Sequence, residues 1–128
     1  MDWKSRKNGK VFLCIYFAAV LYLCLGSFHG PEGLWTDVWG IPIDKVFHFL
    51  MFLPFPILAS WAYCDGGHFP RNLFRIFLTG VVFGICIELM QGLLTEGRSA
   101  EWGDFLADTL GILFSCGLLT LHHKLSKR

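Results

Sequence analysis

The side chains able to do chemistry are few, and most come in pairs at helical spacing. Asp44 and His48 stand four residues apart with Lys45 beside them, Glu88 and Gln91 three apart, and Asp104 and Asp108 four apart. Residues three or four apart share one face of a helix, so each pair points one way. Glu96, Arg98, Ser99 and Glu101 lie between the second and third pairs. An imidazole or carboxyl can give or take a proton beside a substrate, and a guanidinium or ammonium can hold a phosphate or carboxylate. His48, Glu88, Asp104 and Asp108 are therefore candidate catalytic residues, with His48 or Glu88 as acid or base and the two aspartates orienting the histidine. Lys45, Arg98, Gln91 and Asp44 are candidate substrate-binding residues.

Asp44, His48, Glu88, Asp104 and Asp108 also offer ligands for Mg²⁺, Mn²⁺ or Zn²⁺. Their spacing matches no strong metal motif, so no metal and no cofactor is expected. Ser99 reads as a turn or cap residue rather than a nucleophile. Neither a phosphate-binding glycine loop nor a serine elbow nor HExxH occurs.

These residues must be positioned by membrane-spanning helices. Charged residues make up 16% of the 128 and hydrophobic ones 54%, where a soluble domain carries about 25% charged. A span needs ~20 mostly apolar residues, within about 17–25. Four segments qualify: Val11–Ser27, about Val46–Tyr63, about Leu73–Leu94, and Phe105–Leu121. The first has a basic leader but no A-x-A-like site after it, so it reads as a retained helix rather than a signal peptide. The expected fold is all-α, a polytopic bundle of four transmembrane helices in one domain.

Basic residues set its orientation. Lys4, Arg6, Lys7, Lys10, Arg71, Arg75, Lys124, Lys127 and Arg128 are nine of the eleven, and all fall on one side; only Lys45 and Arg98 fall on the other. The positive-inside rule then places both termini in the cytoplasm and the first and third loops outside. Trp35, Trp39 and Trp102 fit an outer aromatic belt, Trp3 and Trp61 an inner one. In the first loop, Leu34, Trp35, Val38 and Trp39 share a face of a short helix expected to lie on the membrane surface, the alternative being an irregular loop with buried tryptophans. Pro54 and Pro56 predict a kink in the second span. Gly80 and Gly84, and more weakly Gly111 and Ser115, predict close helix approach. Cys14, Cys24, Cys64, Cys86 and Cys116 are expected to be buried free thiols, since they are odd in number and form no CxxC pair.

Antiparallel packing gathers every polar pair at the outer ends of the last three spans. Glu88 lies six residues before Leu94, about 9 Å below the outer edge at 1.5 Å per residue. A lone carboxylate there costs about 2.5–3.5 kcal/mol on insertion scales, so it needs a partner. Glu88 is expected to pair with Arg98, and His48 to lie close to Asp104 or Asp108. Each group also has a structural explanation: acids at helix N-termini complement the dipole, and Glu88 with Gln91 can tie helices together.

The set Asp44-Lys45-x-x-His48-Phe49, Glu88-x-x-Gln91, Arg98-Ser99-x4-Asp104-x3-Asp108-x2-Gly111 resembles the VanZ-like family of bacterial membrane proteins, over about residues 44–118. The family usually has Asn at the position of Asp108. Its founding member is linked to resistance to the lipoglycopeptide teicoplanin, which the resemblance does not extend to every member. The resemblance implies a multi-pass protein of the bacterial inner membrane.

Two readings stand side by side. In the first, the protein binds or modifies a lipid-linked or surface glycan, or another anionic substrate, at the extracytoplasmic face. In the second, it is a non-enzymatic scaffold or complex subunit whose polar set is a structural network. A transporter or proton relay would need an oligomer, since four short helices leave little room for a pathway. The expected partners are membrane lipids, a lipid-linked envelope precursor and further copies of the chain. The net charge of +1 gives no basis for binding nucleic acid.

Overall fold

The computed structural model describes residues 3–25, 37–64, 67–94 and 101–128. Its elements are α1 (Trp3–Leu25), the strands β1 (Asp37–Val38) and β2 (Ile41–Pro42), and the helices α2 (Ile43–Phe52), α3 (Pro54–Tyr63), α4 (Phe69–Leu94) and α5 (Trp102–Ser126). α2 and α3 together make one span. Four helical stretches of 22, 21, 26 and 25 residues are thus long and apolar enough to cross a membrane. This is an all-α, multi-pass membrane bundle.

The helices outrun the apolar segments at the end where the described chain begins and finishes. α1 takes in Lys4, Arg6, Lys7 and Lys10, α4 takes in Arg71 and Arg75, and α5 takes in Lys124. Lysine and arginine are good helix formers.

The expected break in the second span is present. Leu53 keeps helical angles (φ −57°, ψ −42°), but Pro54 and Pro56 have no N–H to give, so the ladder is interrupted there. The Leu53 amide still donates to the Phe49 carbonyl at 3.1 Å. From α1, the Tyr16 hydroxyl donates to the Met51 carbonyl at 2.7 Å, reinforcing the same turn. The two halves then pack differently: α2 lies chiefly on α5, whereas α3 lies chiefly on α1 and also meets α5 and α4.

Before α2 the structure departs from expectation. Residues 37–42 form an antiparallel hairpin, with Asp37 opposite Pro42 and Val38 opposite Ile41, in place of the predicted surface helix. Trp39 and Gly40 make its two-residue turn, both at positive φ (52° and 80°), as a type I′ turn requires. Gly40 takes that conformation freely, and Pro42 cannot donate within a helix. Leu34 and Trp35 lie outside the described residues.

The bundle is apolar on both its faces, inner and outer. Phe52, Ile87 and Ile112 are fully buried, with Val20, Cys24 and Cys116 around them. A second cluster of Leu13, Phe55, Ala59, Ala62 and Ile76 fills the other end. Val82, Leu89, Leu110 and Phe114 face outward, toward lipid. Helices approach closely at small residues. A Cβ on Gly80 would stand 2.9 Å from Ile112 Cδ1, and one on Gly111 would strike the Phe49 carbonyl oxygen of α2. The five cysteines are free, but only Cys24 and Cys116 are buried. Cys64 is partly buried, and Cys14 and Cys86 are exposed on the bundle surface, where a thiol is apolar enough to meet lipid.

Candidate functional site

The bundle's polar interior sits at the end away from the basic helix extensions. α2 begins there and supplies Asp44, Lys45 and His48; α5 begins there and supplies Asp104 and Asp108; α4 finishes there and supplies Glu88 and Gln91. His48 (7% exposed), Glu88 (5%), Gln91 (5%), Asp104 (8%) and Asp108 (0%) are all buried. The sequence places them inside by periodicity: the same helices put Phe47, Leu89 and Leu110 outside.

His48 is the centre. Its Nδ1 stands 2.8 Å from Asp108 Oδ1 and 3.6 Å from Glu88 Oε1. Its Nε2 stands 3.6 Å from Asp104 Oδ2. The histidine thus meets both of the aspartates predicted for it. Each ring nitrogen thus faces a carboxylate. Gly84 lies beside Asp108: a Cβ there would meet Asp108 Cβ and Oδ2 at 3.5 Å, an ordinary contact.

Lys45 is the second centre. Its ammonium reaches Asp104 Oδ1 at 2.9 Å, Glu101 Oε2 at 3.0 Å and Asp44 Oδ2 at 3.4 Å. Asp104 therefore joins the two centres, one oxygen toward Lys45 and the other toward His48. Glu101 was absent from the sequence-derived site. Its position just ahead of α5, where it is the N-cap residue, is the signal that could have found it, because an acid there sits at the positive end of the helix dipole. Its backbone N–H also donates to Glu88 Oε2 at 3.4 Å.

Gln91 points elsewhere. Its Nε2 donates to the Cys24 carbonyl at 3.1 Å, which ties α4 to α1. Arg98, and with it the expected Glu88–Arg98 pair, lies outside the described residues. Among the described residues, Glu88 Oε1 and Asp108 Oδ2 are buried with no hydrogen-bond partner.

Among the described residues the local charge is acidic. Asp44, Glu88, Glu101, Asp104 and Asp108 face Lys45 and His48, and the ammonium is already shared among three carboxylates. Such a site can accept hydrogen bonds from hydroxyls, move a proton through His48, or take a cation. At the opposite end of the bundle, Arg6, Lys7, Lys10, Ala62 and Tyr63 line one cleft, and a second runs between the start of α4 and the end of α5 past His123 and Lys124. Among the described residues, Lys45 apart, basic and acidic groups thus lie at opposite ends.

No curated protein and no solved structure matches the chain. The family model described as VanZ/LLP1 matches residues 4–123, nearly the whole length and well beyond the region that carries the polar motifs. The hairpin, the broken second span and the His48 cluster are therefore features of a chain that belongs to the VanZ/LLP1 family.

Proposed function

We propose that this protein binds or modifies a lipid-linked or surface glycan, with an anionic head group, at the extracytoplasmic face of the bacterial inner membrane. The observation that carries the reading is the buried cluster of His48, Glu88, Asp104 and Asp108 inside a shell of lipid-facing side chains. Burying that much polar surface in a membrane bundle is expensive, and such groups mark functional sites by default. Carboxylates and an imidazole at one membrane edge suit a sugar's hydroxyls, and His48 held by aspartates suits proton transfer. Orientation follows from the basic residues at the other end, which favours both termini in the cytoplasm. Lipids and a lipid-linked envelope precursor are the proposed partners, and a second copy of the chain can complete the site's walls. The family's link to teicoplanin resistance agrees with action on surface precursors.

The test is native mass spectrometry of protein released from mild detergent. The wild type is expected to carry a discrete lipid or lipid-linked species that folded His48→Ala and Glu88→Ala variants lose. Wild type without a bound species, or variants that keep it, would overturn the reading.

A second reading is favoured by Lys45 and Gln91. The ammonium is engaged by three acids and the amide by the Cys24 carbonyl, as in a structural network of a scaffold or complex subunit. It expects the same variants to unfold rather than to fold and lose a ligand.

A further inference from the structure

Two groups of acidic side chains lie at the site, and they differ in what fills them. Asp44, Glu101 and Asp104 converge on a point that the Lys45 ammonium already occupies. His48, Glu88 and Asp108 also converge, with one ligand atom from each within 4.8 Å of the others. No ammonium or guanidinium among the described residues reaches that second point. Glu88 Oε1, 3.6 Å from His48 Nδ1, is buried without a hydrogen-bond partner, as is Oδ2 of the Asp108 carboxylate whose Oδ1 lies 2.8 Å from that nitrogen, and both residues are at least nine-tenths buried.

We propose that His48, Glu88 and Asp108 bind a divalent transition-metal ion such as Zn²⁺ or Mn²⁺. Donors around such an ion at about 2.0–2.2 Å stand roughly 3.0–3.5 Å from one another. The separations of 2.8 Å (Nδ1 to Asp108 Oδ1) and 3.6 Å (Nδ1 to Glu88 Oε1) bracket that spacing. The donor set selects the ion: one imidazole and two carboxylates suit Zn²⁺ or Mn²⁺, whereas Ca²⁺ and Mg²⁺ take oxygen alone. The surroundings match as well. A ligating histidine is normally oriented by a carboxylate at its other nitrogen, and His48 Nε2 faces Asp104 Oδ2 while Lys45 fixes the other oxygen of Asp104. The ligands come from α2, α4 and α5, three separate spans, so no linear motif announces them. Such an ion also offsets the acid excess and presents open positions to an anionic head group; that last link rests on the proposed function.

The test is metal content and metal binding in the intact protein. Protein stripped with chelator and returned to Zn²⁺ or Mn²⁺ is expected to hold one ion per chain by elemental analysis, with a visible absorption band when Co²⁺ is used as probe. Glu88→Gln and the near-isosteric Asp108→Asn are expected to bind at least 10-fold more weakly, and His48→Ala to lose the Co²⁺ band. Circular dichroism checks that each variant is folded. Arg98→Ala is expected to keep the one-to-one stoichiometry. Wild type that takes up neither ion, a folded Glu88→Gln variant that binds as the wild type does, or binding that emerges only in Arg98→Ala would each overturn the proposal. A metal-free protein that still carries its lipid would sink the ion and spare the functional reading; a metal-loaded protein without lipid would do the reverse.

Discussion

Gly111→Ala sets α5 against the backbone of α2. An added Cβ would strike the Phe49 carbonyl oxygen and stand 3.3 Å and 3.4 Å from the Phe49 carbonyl carbon and Cα. These are main-chain atoms, so no rotamer change relieves the contact and the two helices must part. Overpacking of this kind costs about 1–3 kcal/mol, while glycine to alanine in a helix interior returns at most about 1 kcal/mol. Gly84→Ala is the internal comparison, because its Cβ would meet Asp108 at 3.5 Å, an ordinary contact. We therefore expect Gly84→Ala to lie within about 1 kcal/mol of wild type and Gly111→Ala to be about 1–3 kcal/mol less stable than Gly84→Ala. The assay is unfolding by SDS in mixed micelles, followed by tryptophan fluorescence and circular dichroism on both variants side by side. His48 directly precedes Phe49, so parting the helices also lengthens the 2.8 Å contact with Asp108 and is expected to weaken the Co²⁺ signal. If Gly111→Ala unfolds at the same SDS fraction as Gly84→Ala, the close α2–α5 approach is refuted.

Tyr16→Phe removes one hydroxyl and its bond to the Met51 carbonyl; interhelical bonds in membranes average about 0.6 kcal/mol and reach about 1.7, so the same SDS assay should show a small but measurable loss. Lys45→Met leaves Asp104 and Glu101 without their ammonium. Because Lys45 is partly exposed, the loss is expected to be about 1 kcal/mol or less, and raising the salt concentration should narrow the gap to wild type. Gly40→Val forces a branched residue to φ 80° and is expected to cost about 1–2 kcal/mol in hairpin order, read as faster amide exchange over residues 37–42. Orientation is tested by labelling in whole cells: a membrane-impermeant maleimide should modify Trp39→Cys directly, and Ser126→Cys only after permeabilisation.

The spans were legible because each is a run of apolar residues with polar breaks, and lipid admits little other than a helix there. The break at Pro54 was legible because a missing N–H is a local fact. The convergence of His48 with Asp104 and Asp108 was legible too, from helical spacing and antiparallel packing alone. Other features were not. The hairpin at residues 37–42 hid behind tryptophan spacing that equally fits a helix, and only the positive φ at Trp39 and Gly40 decides it. Lys45 reads as a substrate cation in sequence, but its engagement with Glu101 depends on how the start of α5 faces α2. Gln91 reads as part of the site, and its bond to the Cys24 carbonyl rests on an α4–α1 contact that a sequence does not locate. Cys14 and Cys86 look like core thiols in apolar runs, but in a bundle this thin much of each run faces outward.

On either side of Leu53 the second span answers to different neighbours, α5 for the half that carries His48 and α1 for the half that carries Phe55, Ala59 and Ala62. A substitution in α2 that tilts it on α5 re-aims His48 and Lys45 while the contacts of α3 with Leu13 and Ile76 hold. On the proposed function, head-group preference and membrane anchorage can thus drift independently in evolution, each under its own selection. Grafting residues 43–52 between relatives should transfer ligand preference and leave insertion into the bilayer intact.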